Sequence, residues 1–345
     1  LVLSAGSDWV VENSAQKNFF ESLSSSVKQM HVYPGFFHAI FFEKDRQRPI
    51  EKTREFIFEA FKHKPSMEFL LKADKEGYTK QEYDKLCKPP GFLGSLNFGF
   101  QKLILGTLGK LSDGVKLGWK TGFDSGKSLD YVYENKARGM IAIGRMIDQA
   151  YLDSVGWKGI RVRGHNLKAT LKDAIEKIRA SGKPVRLVDL ASGPGRYVLD
   201  AIKEMPDVDA LLRDWDQKNL EAGKQIAASL GIKNVRFEKG DAFNTESILK
   251  VAPRPNIVIV SGLYELFPDN EMVLNSLKGI AKVLDNGGYF IYTGQPWHPQ
   301  VEMIARTLIN RDRKPWIMRR RTQAEMDELV RSVGLKKLDM EIDPY

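Results

Sequence analysis

The sequence predicts an α/β protein built on a parallel sheet that is covered by helices on both faces. From about residue 167 onward, helical stretches alternate in regular order with short, continuously apolar runs, which is typical of strands buried on both sides. One of these runs passes through a glycine-rich turn directly into a helix, over residues 185–202. A last strand is predicted in "LKKLDMEI" (335–342), after a helix that ends at Gly334. The other strands are placed at about 185–190, 209–214, 234–238, 256–261 and 287–293.

The length and composition predict more than one domain. A chain of 345 residues with 42% apolar content exceeds one ordinary core and fits two domains, or one domain and fragments. Residues 1–62 show a strand, helix, strand, loop and helix pattern, whereas 63–150 contain helical stretches separated by Pro-rich and Gly-rich turns. We therefore divide the chain into 1–62, a helical connector over 63–150, and the sheet domain over 151–345.

Charge and cysteine content exclude several function classes. Lys and Arg exceed Asp and Glu by nine, but apart from Arg319-Arg320-Arg321 the charge is dispersed, so no nucleic acid partner is expected. The single cysteine, Cys87, excludes a disulfide framework and a thiolate zinc site, and it suits the cytoplasm. No metal site is expected, because no two of the histidines have ligand spacing. The histidines are His31, His38, His63, His165 and His298.

The most apolar segment, residues 91–111, is not expected to span a membrane. Lys102, Lys110 and five glycines interrupt it. We expect a packed or surface-lying helix, and peripheral membrane contact fits such a helix. The first residues also lack the basic and apolar regions of a signal peptide.

The loop after the first strand of the sheet is the strongest signal of a binding site. Asp189 ends the strand, and small residues follow where the backbone must turn tightly and let a ligand approach. A dinucleotide loop would have another small residue at position 198, but Val198 stands there. The spacing fits instead the loop that holds S-adenosylmethionine. The small residues of the loop are Ala191, Ser192, Gly193 and Gly195.

Polar residues follow three further strands at the edge where ligands bind in such sheets. Asp214 lies 19 residues after Gly195, which suits a carboxylate that accepts hydrogen bonds from ribose hydroxyls. Asp241 and Ala242 stand where an adenine amino group and a ring nitrogen would be met, and Ser261 follows the fourth strand. As alternatives, Asp241 caps a turn and Asp214 is merely solvated.

Several longer segments resemble a known family. "VDLASGPGRYVLDAI", "SGLYELFPDNEMV" and "GGYFIYTGQPWHPQVEMIART" are similar to class I S-adenosylmethionine-dependent methyltransferases. The similarity is specifically to the methyltransferase half of bacterial two-part proteins that carry an α/β-hydrolase in front, and "GFDSGKSLDYVYENKARG" (122–139) resembles the helical lead-in of that half. The resemblance implies S-adenosylmethionine as cofactor, a Rossmann-like sheet, and a final antiparallel strand, which we expect to be missing here.

Methyl transfer requires little covalent chemistry from the protein, so a base is needed only for a protonated nucleophile. Candidate residues for this base follow the fourth and fifth strands of the sheet. His298 stands between two prolines and is equally interpreted as part of a rigid turn, and Tyr131, Tyr133 and Asn135 are candidates for a lid. The motif "GFDSGKS" has three residues between its glycines where a P-loop requires four, so nucleoside triphosphate binding is excluded. The catalytic candidates are Tyr264, Glu265, Gln295, Trp297 and His298.

The first sixty residues resemble the end of an α/β-hydrolase of the serine aminopeptidase or monoacylglycerol lipase type. In that fold the acid and the histidine of the triad follow successive late strands, and Asp8 and His38 occupy those places. No serine of the sequence has glycine at both −2 and +2, so the nucleophile elbow is missing. We expect no hydrolysis from this chain and interpret it as part of a longer protein.

Taken together, the sequence predicts a methyltransferase that uses S-adenosylmethionine and acts on a small-molecule or lipid acceptor. One alternative is a module that binds the cofactor without catalysis. Another is a serine hydrolase in the longer protein, with the methyltransferase part as an accessory.

Overall fold

The computed structural model describes residues 1–23, 25, 27–62 and 67–345. These residues form two compact units, Leu1–Phe69 and Leu70–Tyr345, each of which is described by itself. The second unit contains both the helical segment and the sheet, so the proposed boundaries at residues 62 and 150 stay predictions.

The first unit has the predicted order of strand, helix, strand, loop and helix. Strands β1 (Val2–Ala5) and β2 (Met30–Tyr33) pair in parallel, with Leu3 opposite His31. The helices are α1 (Asn13–Ser22) and α2 (Gln47–Lys62), and a 3₁₀ turn covers Ile40–Phe42. Four buried residues, Ala5, Tyr33, Phe36 and Ile40, form its core.

The second unit begins with helices, as the turn-rich pattern predicts. Serines cap two of them: the Ser112 hydroxyl accepts from the Val115 N–H at 3.0 Å, and that of Ser125 accepts from Ser128 at 3.2 Å. The helices are α3 (Tyr78–Cys87), α4 (Phe92–Gly106), α5 (Asp113–Thr121), α6 (Gly126–Glu134), α7 (Ile141–Leu152) and α8 (Val155–Ala180).

Helix α8 is longer than its apolar pattern predicts. The sequence indicates a helix only from residue 167, because glycines at 156, 159 and 164 weaken helical propensity. Packing explains the glycine at 164: a Cβ there would lie 2.6 Å from Tyr133 Cε1, so the Tyr133 ring contacts the helix backbone. In the first half of α8, tertiary contacts therefore outweigh the low helical propensity of the glycines.

The sheet contains the five strands predicted between 185 and 293. All pairings are parallel, in the order β5-β4-β3-β6-β7. The direction of the strand order reverses between β3 and β6. In such sheets a ligand is expected beyond the carboxyl ends of the two strands at this point. The elements are β3 (Val185–Asp189), α9 (Arg196–Ile202), β4 (Val208–Asp214), α10 (Gln217–Ser229), β5 (Val235–Lys239), α11 (Thr245–Leu249), β6 (Ile257–Val260), α12 (Asn270–Val283), β7 (Tyr289–Tyr292), α13 (Val301–Thr307) and α14 (Gln323–Ser332).

Two hydrophobic clusters cover the two faces of this sheet. Leu187 packs into the cluster that contains α8 and α9, whereas the next residue, Val188, packs into the cluster of α12 and α14. Successive strand residues point to opposite faces, so a strand buried on both sides must be apolar throughout. This arrangement confirms the predicted α/β fold with a doubly covered parallel sheet.

The predicted strand at 335–342 is wrong. The structure has no strand after α14, and Leu338 and Ile342 are 70% and 73% exposed. A strand forms only where a neighbour accepts and donates its backbone hydrogen bonds, and in the described part of the chain this segment pairs with none.

Candidate functional site

The loop between β3 and α9 has the tight backbone that the sequence predicts. Gly193 and Gly195 both have positive φ, at 56° and 74°. A Cβ on Gly195 would lie 2.4 Å from Leu212 Cδ1, so the loop lies directly against β4. The Ser192 N–H donates to the Arg213 carbonyl at 2.9 Å, which attaches the loop to that strand.

Asp189 supports this loop from below. The side chain is fully buried; it accepts a hydrogen bond from the Ala191 N–H at 3.1 Å and another from the Tyr197 hydroxyl. Burial raises the pKa of Asp189 to about 7. A residue so enclosed shapes the loop rather than contacting a ligand.

Asp214 fixes the loop at the end of β4. Its Oδ2 accepts from the Gly193 N–H at 2.8 Å, while Oδ1 accepts from the Asp216 N–H at 2.8 Å and from Asn219 Nδ2 at 3.0 Å. A carboxylate accepts about four hydrogen bonds, so room for about one more is left on a side chain that is only half-buried. Asp214 is therefore a positioning residue as well as a candidate ligand to a ribose hydroxyl.

Trp215 was missed by the sequence analysis. It directly follows Asp214 and is 68% exposed, and the Lys239 ammonium lies 5.1 Å from its ring centroid. An exposed aromatic ring at the ligand edge of a sheet offers a flat apolar surface on which a base can stack. A tryptophan immediately after a strand-ending acid was the signal that could have revealed it.

The remaining predicted cofactor residues lie at the carboxyl ends of β5 and β6. Asp241 Oδ1 accepts from the Phe243 N–H at 2.8 Å, which is the turn-capping alternative. Ala242 is buried, and Ser261, directly after β6, is half-buried. Because all the strands are parallel, these residues share one edge of the sheet with the loop.

A cavity of about 330 Å³ opens at the same edge. Gly262 after β6 and Gln295 after β7 line it on the sheet side, and α8 lines it with Trp157 and Arg163. The walls are largely apolar and include four aromatic side chains, of which Trp157 and Trp316 are stacked at 6.3 Å between ring centroids. Its size lies within the range of small-molecule sites, which is about 300–1,000 Å³.

Glu265 and Arg163 form an ion pair in the wall of this cavity. Arg163 Nη1 lies 3.2 Å from Glu265 Oε1, and the two side chains are 16% and 7% exposed. Glu265 Oε2 and Arg163 Nε are buried without a hydrogen-bond partner. Glu265, a catalytic candidate from the sequence, therefore lies in the cavity wall, and Arg163 is a second residue that the sequence analysis missed.

His298 also lines the cavity, but its geometry does not suit a general base acting at Nε2. Nδ1 accepts a hydrogen bond from the Gln300 N–H at 3.0 Å, so the neutral ring carries its proton on Nε2. Burial, followed by the charges of Arg320 and Arg163, lowers the pKa of His298 and favours this neutral form. The ring is therefore a hydrogen-bond donor.

Three aromatic expectations are corrected. Tyr264 lies in the hydrophobic core and its hydroxyl pairs with that of Ser276 at 2.9 Å, so it does not line the cavity. Tyr131, expected in a lid, is 8% exposed and pairs with the buried Asp148. Trp297 is 59% exposed and lies outside the cavity wall.

Two residues of the arginine run, Arg319 and Arg321, are buried, and Arg320 between them is half-buried. Arg319 donates to Glu325 Oε1 at 2.8 Å and to Thr79 Oγ1 at 3.1 Å, which joins α14 to α3. Arg321 donates to the carbonyls of Tyr264 and Phe267, and burial lowers its pKa to about 10. These side chains hold the segment after β6 that carries Glu265.

Asp8 and His38, the predicted triad pair, lie within hydrogen-bond distance in the first unit. His38 Nδ1 is 3.1 Å from Asp8 Oδ2. Although burial opposes it, hydrogen bonds from the Val11 and Val10 N–H groups, with that of His38, lower the pKa of Asp8.

Within the described ranges, no three His, Cys, Asp or Glu side chains cluster as metal ligands would, and His63 lies outside these ranges. None of the helices there combines the length and apolarity of a membrane span.

Comparison with known families divides the chain in two. Residues 53–345 match the family described as "Putative methyltransferase", and residues 1–45 match "Serine aminopeptidase, S33". The curated "Uncharacterized protein YnbC" of Escherichia coli (strain K12) is 45% identical over 349 residues, covering 100% of this chain and 60% of that protein. The chain thus spans about 60% of the length of this relative.

Solved structures of low identity were also found. An O-methyltransferase family protein from Burkholderia thailandensis is 12% identical with a TM-score of 0.43, and the match covers 67% of each chain. Magnesium protoporphyrin IX methyltransferase from Synechocystis PCC 6803, solved with bound SAH, is 14% identical with a TM-score of 0.40, covering 62% of this chain and 87% of the other.

Proposed function

The chain belongs to the family described as "Putative methyltransferase", and from this premise we propose that it transfers a methyl group from S-adenosylmethionine to an acceptor bound in the cavity. The observation that carries the proposal is the loop at Gly193, which Asp214 holds by a hydrogen bond beside the exposed Trp215. This loop lies at the end of the sheet where the strand order reverses.

The residues at this edge fit the cofactor. A Cβ on Gly193 would meet only Gly126 Cα, at 3.9 Å, so a ligand can approach the loop backbone. The spare acceptor capacity of Asp214 suits a ribose hydroxyl, and Trp215 offers a face to the adenine. When bound, S-adenosylmethionine supplies a methyl group on a positively charged sulfur.

The residues of the chain have the tasks of orienting the acceptor and excluding water. The largely apolar walls of the cavity are suited to exclude water. Glu265 is assigned as the group that takes the acceptor's proton, at Oε2, and Arg163 positions it through their ion pair.

Calorimetric titration with S-adenosylmethionine tests the proposal. We expect saturable one-to-one binding, and Asp214→Ala should weaken it about tenfold or more, because both the ribose contact and the anchor of the loop are lost. The matched control is Asp216→Asn, which removes a nearby charge while keeping a residue that caps α10. A folded protein that does not bind would overturn the proposal, and equal losses in both variants would refute the role of Asp214.

A second proposal concerns the first unit. The Asp8 and His38 contact, within the segment that matches a serine aminopeptidase family, supports an acid and base pair of a hydrolase whose serine lies outside this chain. Labelling of the longer protein by a fluorophosphonate, lost in His38→Ala, would support it. Absence of labelling in a folded sample would contradict it.

Peripheral contact of α4 with an anionic membrane is also proposed. None of its residues is buried, and Phe92 and Leu93 are 78% and 79% exposed. Lys102 and Lys110 are exposed, and no acidic residue occurs between 91 and 112. An apolar face flanked only by positive charge suits a surface of anionic lipids.

A further inference from the structure

The cavity wall concentrates buried polar atoms that lack hydrogen-bond partners. Within the described residues, three such atoms belong to side chains that line it: Glu265 Oε2, Arg163 Nε and Trp316 Nε1. A buried polar atom without a partner is costly and therefore rare in folded proteins. These atoms point to a ligand that supplies the partners.

We propose, resting on the methyltransferase function above, that the cavity binds an uncharged, ring-bearing hydroxyl compound whose O–H donates a hydrogen bond to Glu265 Oε2. Glu265 is 7% exposed, so this acceptor faces the interior and not bulk water. The hydroxyl is then also the group that loses its proton to Glu265.

Four aromatic side chains in an otherwise mainly aliphatic wall offer a surface on which a ring can pack. Phe123, Tyr151, Trp157 and Trp316 form a continuous series, with ring centroids 6.3, 5.6 and 6.3 Å apart. Rings packed edge-to-face and offset-stacked offer flat surfaces and quadrupoles that complement another ring. Phe123, Trp157 and Trp316 are each less than a tenth exposed, so a ligand among them is desolvated.

The ion pair favours a neutral ligand. At 3.2 Å, Arg163 and Glu265 balance each other's charge, so an anionic ligand would meet the Glu265 carboxylate and a cationic ligand would meet the guanidinium. A neutral hydroxyl meets neither penalty. It pairs with Oε2, while an acceptor atom elsewhere on the ligand satisfies Trp316 Nε1–H or the Nε2–H of His298.

Binding of four probes tests this assignment in the intact chain: 2-naphthol, 2-methoxynaphthalene, 2-naphthoate and 1-decanol, by calorimetry with and without S-adenosylhomocysteine. We expect 2-naphthol to bind at least about tenfold more tightly than 2-methoxynaphthalene, which lacks the donor but keeps both rings. The carboxylate and the alkyl alcohol should also bind more weakly than 2-naphthol.

The double variant Arg163→Met with Glu265→Leu removes the pair as a unit, so no buried charge is left alone. It should bind 2-naphthol and 2-methoxynaphthalene within about twofold of each other, because the acceptor that we assign to the hydroxyl is gone. The matched control is Asp173→Leu with Lys177→Met, an exposed pair on the same helix α8, which should keep the tenfold preference. Both ligands are compared on each protein, so a general loss of affinity does not mimic the result.

Equal binding of the two naphthalenes by the unmodified chain would overturn the inference, as would tighter binding of 2-naphthoate or of 1-decanol. A chain that binds S-adenosylhomocysteine but none of the probes would overturn it while the proposed function stands. Binding of 2-naphthol with the expected preference, in a chain that does not bind S-adenosylhomocysteine, would support the site and refute the proposed function.

Discussion

Two glycines with the same backbone conformation have different surroundings. Gly195 and Gly182 both have φ of 74°, but a Cβ at Gly195 would lie 2.4 Å from Leu212 Cδ1, whereas at Gly182 it would meet nothing within 4 Å. Both alanine variants are strained, and only Gly195→Ala also places a methyl group against the buried Leu212 side chain.

We therefore expect Gly195→Ala to lower the free energy of unfolding by roughly 1–3 kcal/mol more than Gly182→Ala does. Urea denaturation of the two variants measures the difference. Equal destabilisation would show that backbone strain, and not the contact with Leu212, determines the need for glycine in the loop.

The buried carboxyl of Asp189 should make the free energy of unfolding depend on pH. The pKa of Asp189 is raised from 3.8 to about 7 in the folded state. At a pH between these two values, the folded protein therefore holds a proton that the unfolded chain has lost. Its contribution to the free energy of unfolding is therefore fully present below about pH 4 and is lost as the pH rises through 7, by at most about 1.4 kcal/mol per pH unit.

Asp189→Asn has no proton to lose, so its stability relative to the unmodified chain should improve as the pH rises from 4.5 to 7.5. Urea denaturation of both proteins at several pH values measures this. Parallel stability curves would mean that the carboxyl does not titrate in this range.

At the scale of elements, Asp148 joins the helices that precede the sheet. It is fully buried on α7 and accepts hydrogen bonds from the Gly114 N–H at 2.9 Å, from the Arg138 N–H at 2.7 Å, and from the Ser112 and Tyr131 hydroxyls. One carboxylate thus satisfies donors from α5, α6 and the turn before α7.

Asp148→Asn turns one acceptor oxygen into a donor that faces these groups, and we expect a loss of about 2–4 kcal/mol in the free energy of unfolding. Asp153→Asn is the control, because this exposed residue pairs only with Gln149 in the contacts described and should change stability by less than about 0.5 kcal/mol. Similar values for both variants, measured by thermal denaturation, would contradict the role of Asp148.

At the scale of the whole molecule, the exposed face of α4 predicts membrane binding. The chain should co-sediment with vesicles that contain phosphatidylserine more than with purely zwitterionic vesicles, and added salt should weaken this binding. Leu93→Asp with Phe100→Asp should reduce it by about tenfold or more, since two apolar contacts are lost.

The control for this experiment is Leu338→Asp with Ile342→Asp, which alters two equally exposed apolar residues outside α4. Equal loss in both variants would mean that general apolarity, and not α4, drives the binding. A dimer that forms in place of vesicle binding would assign the face of α4 to a second copy of the chain.

Much of the fold could be predicted because it depends on local pattern. The five strands lie within one or two residues of their expected positions, since continuous apolar runs are needed wherever both faces of a strand are covered. The failures depend on distant partners. The segment 335–342 has strand-like composition but pairs with no strand that the structure describes, and Arg319 is buried because Glu325 and Thr79 pair with it.

The α/β class, the family and the loop with its acidic residues could be predicted from the chain alone, because motif spacing and apolar period are properties of neighbouring residues. Which candidate residues meet depends on the tertiary structure. It separated Glu265, in the cavity, from its neighbour Tyr264, in the core, and it brought Arg163 to Glu265 from 102 residues away. Burial and hydrogen-bond partners are set by such long-range contacts, which no local pattern encodes.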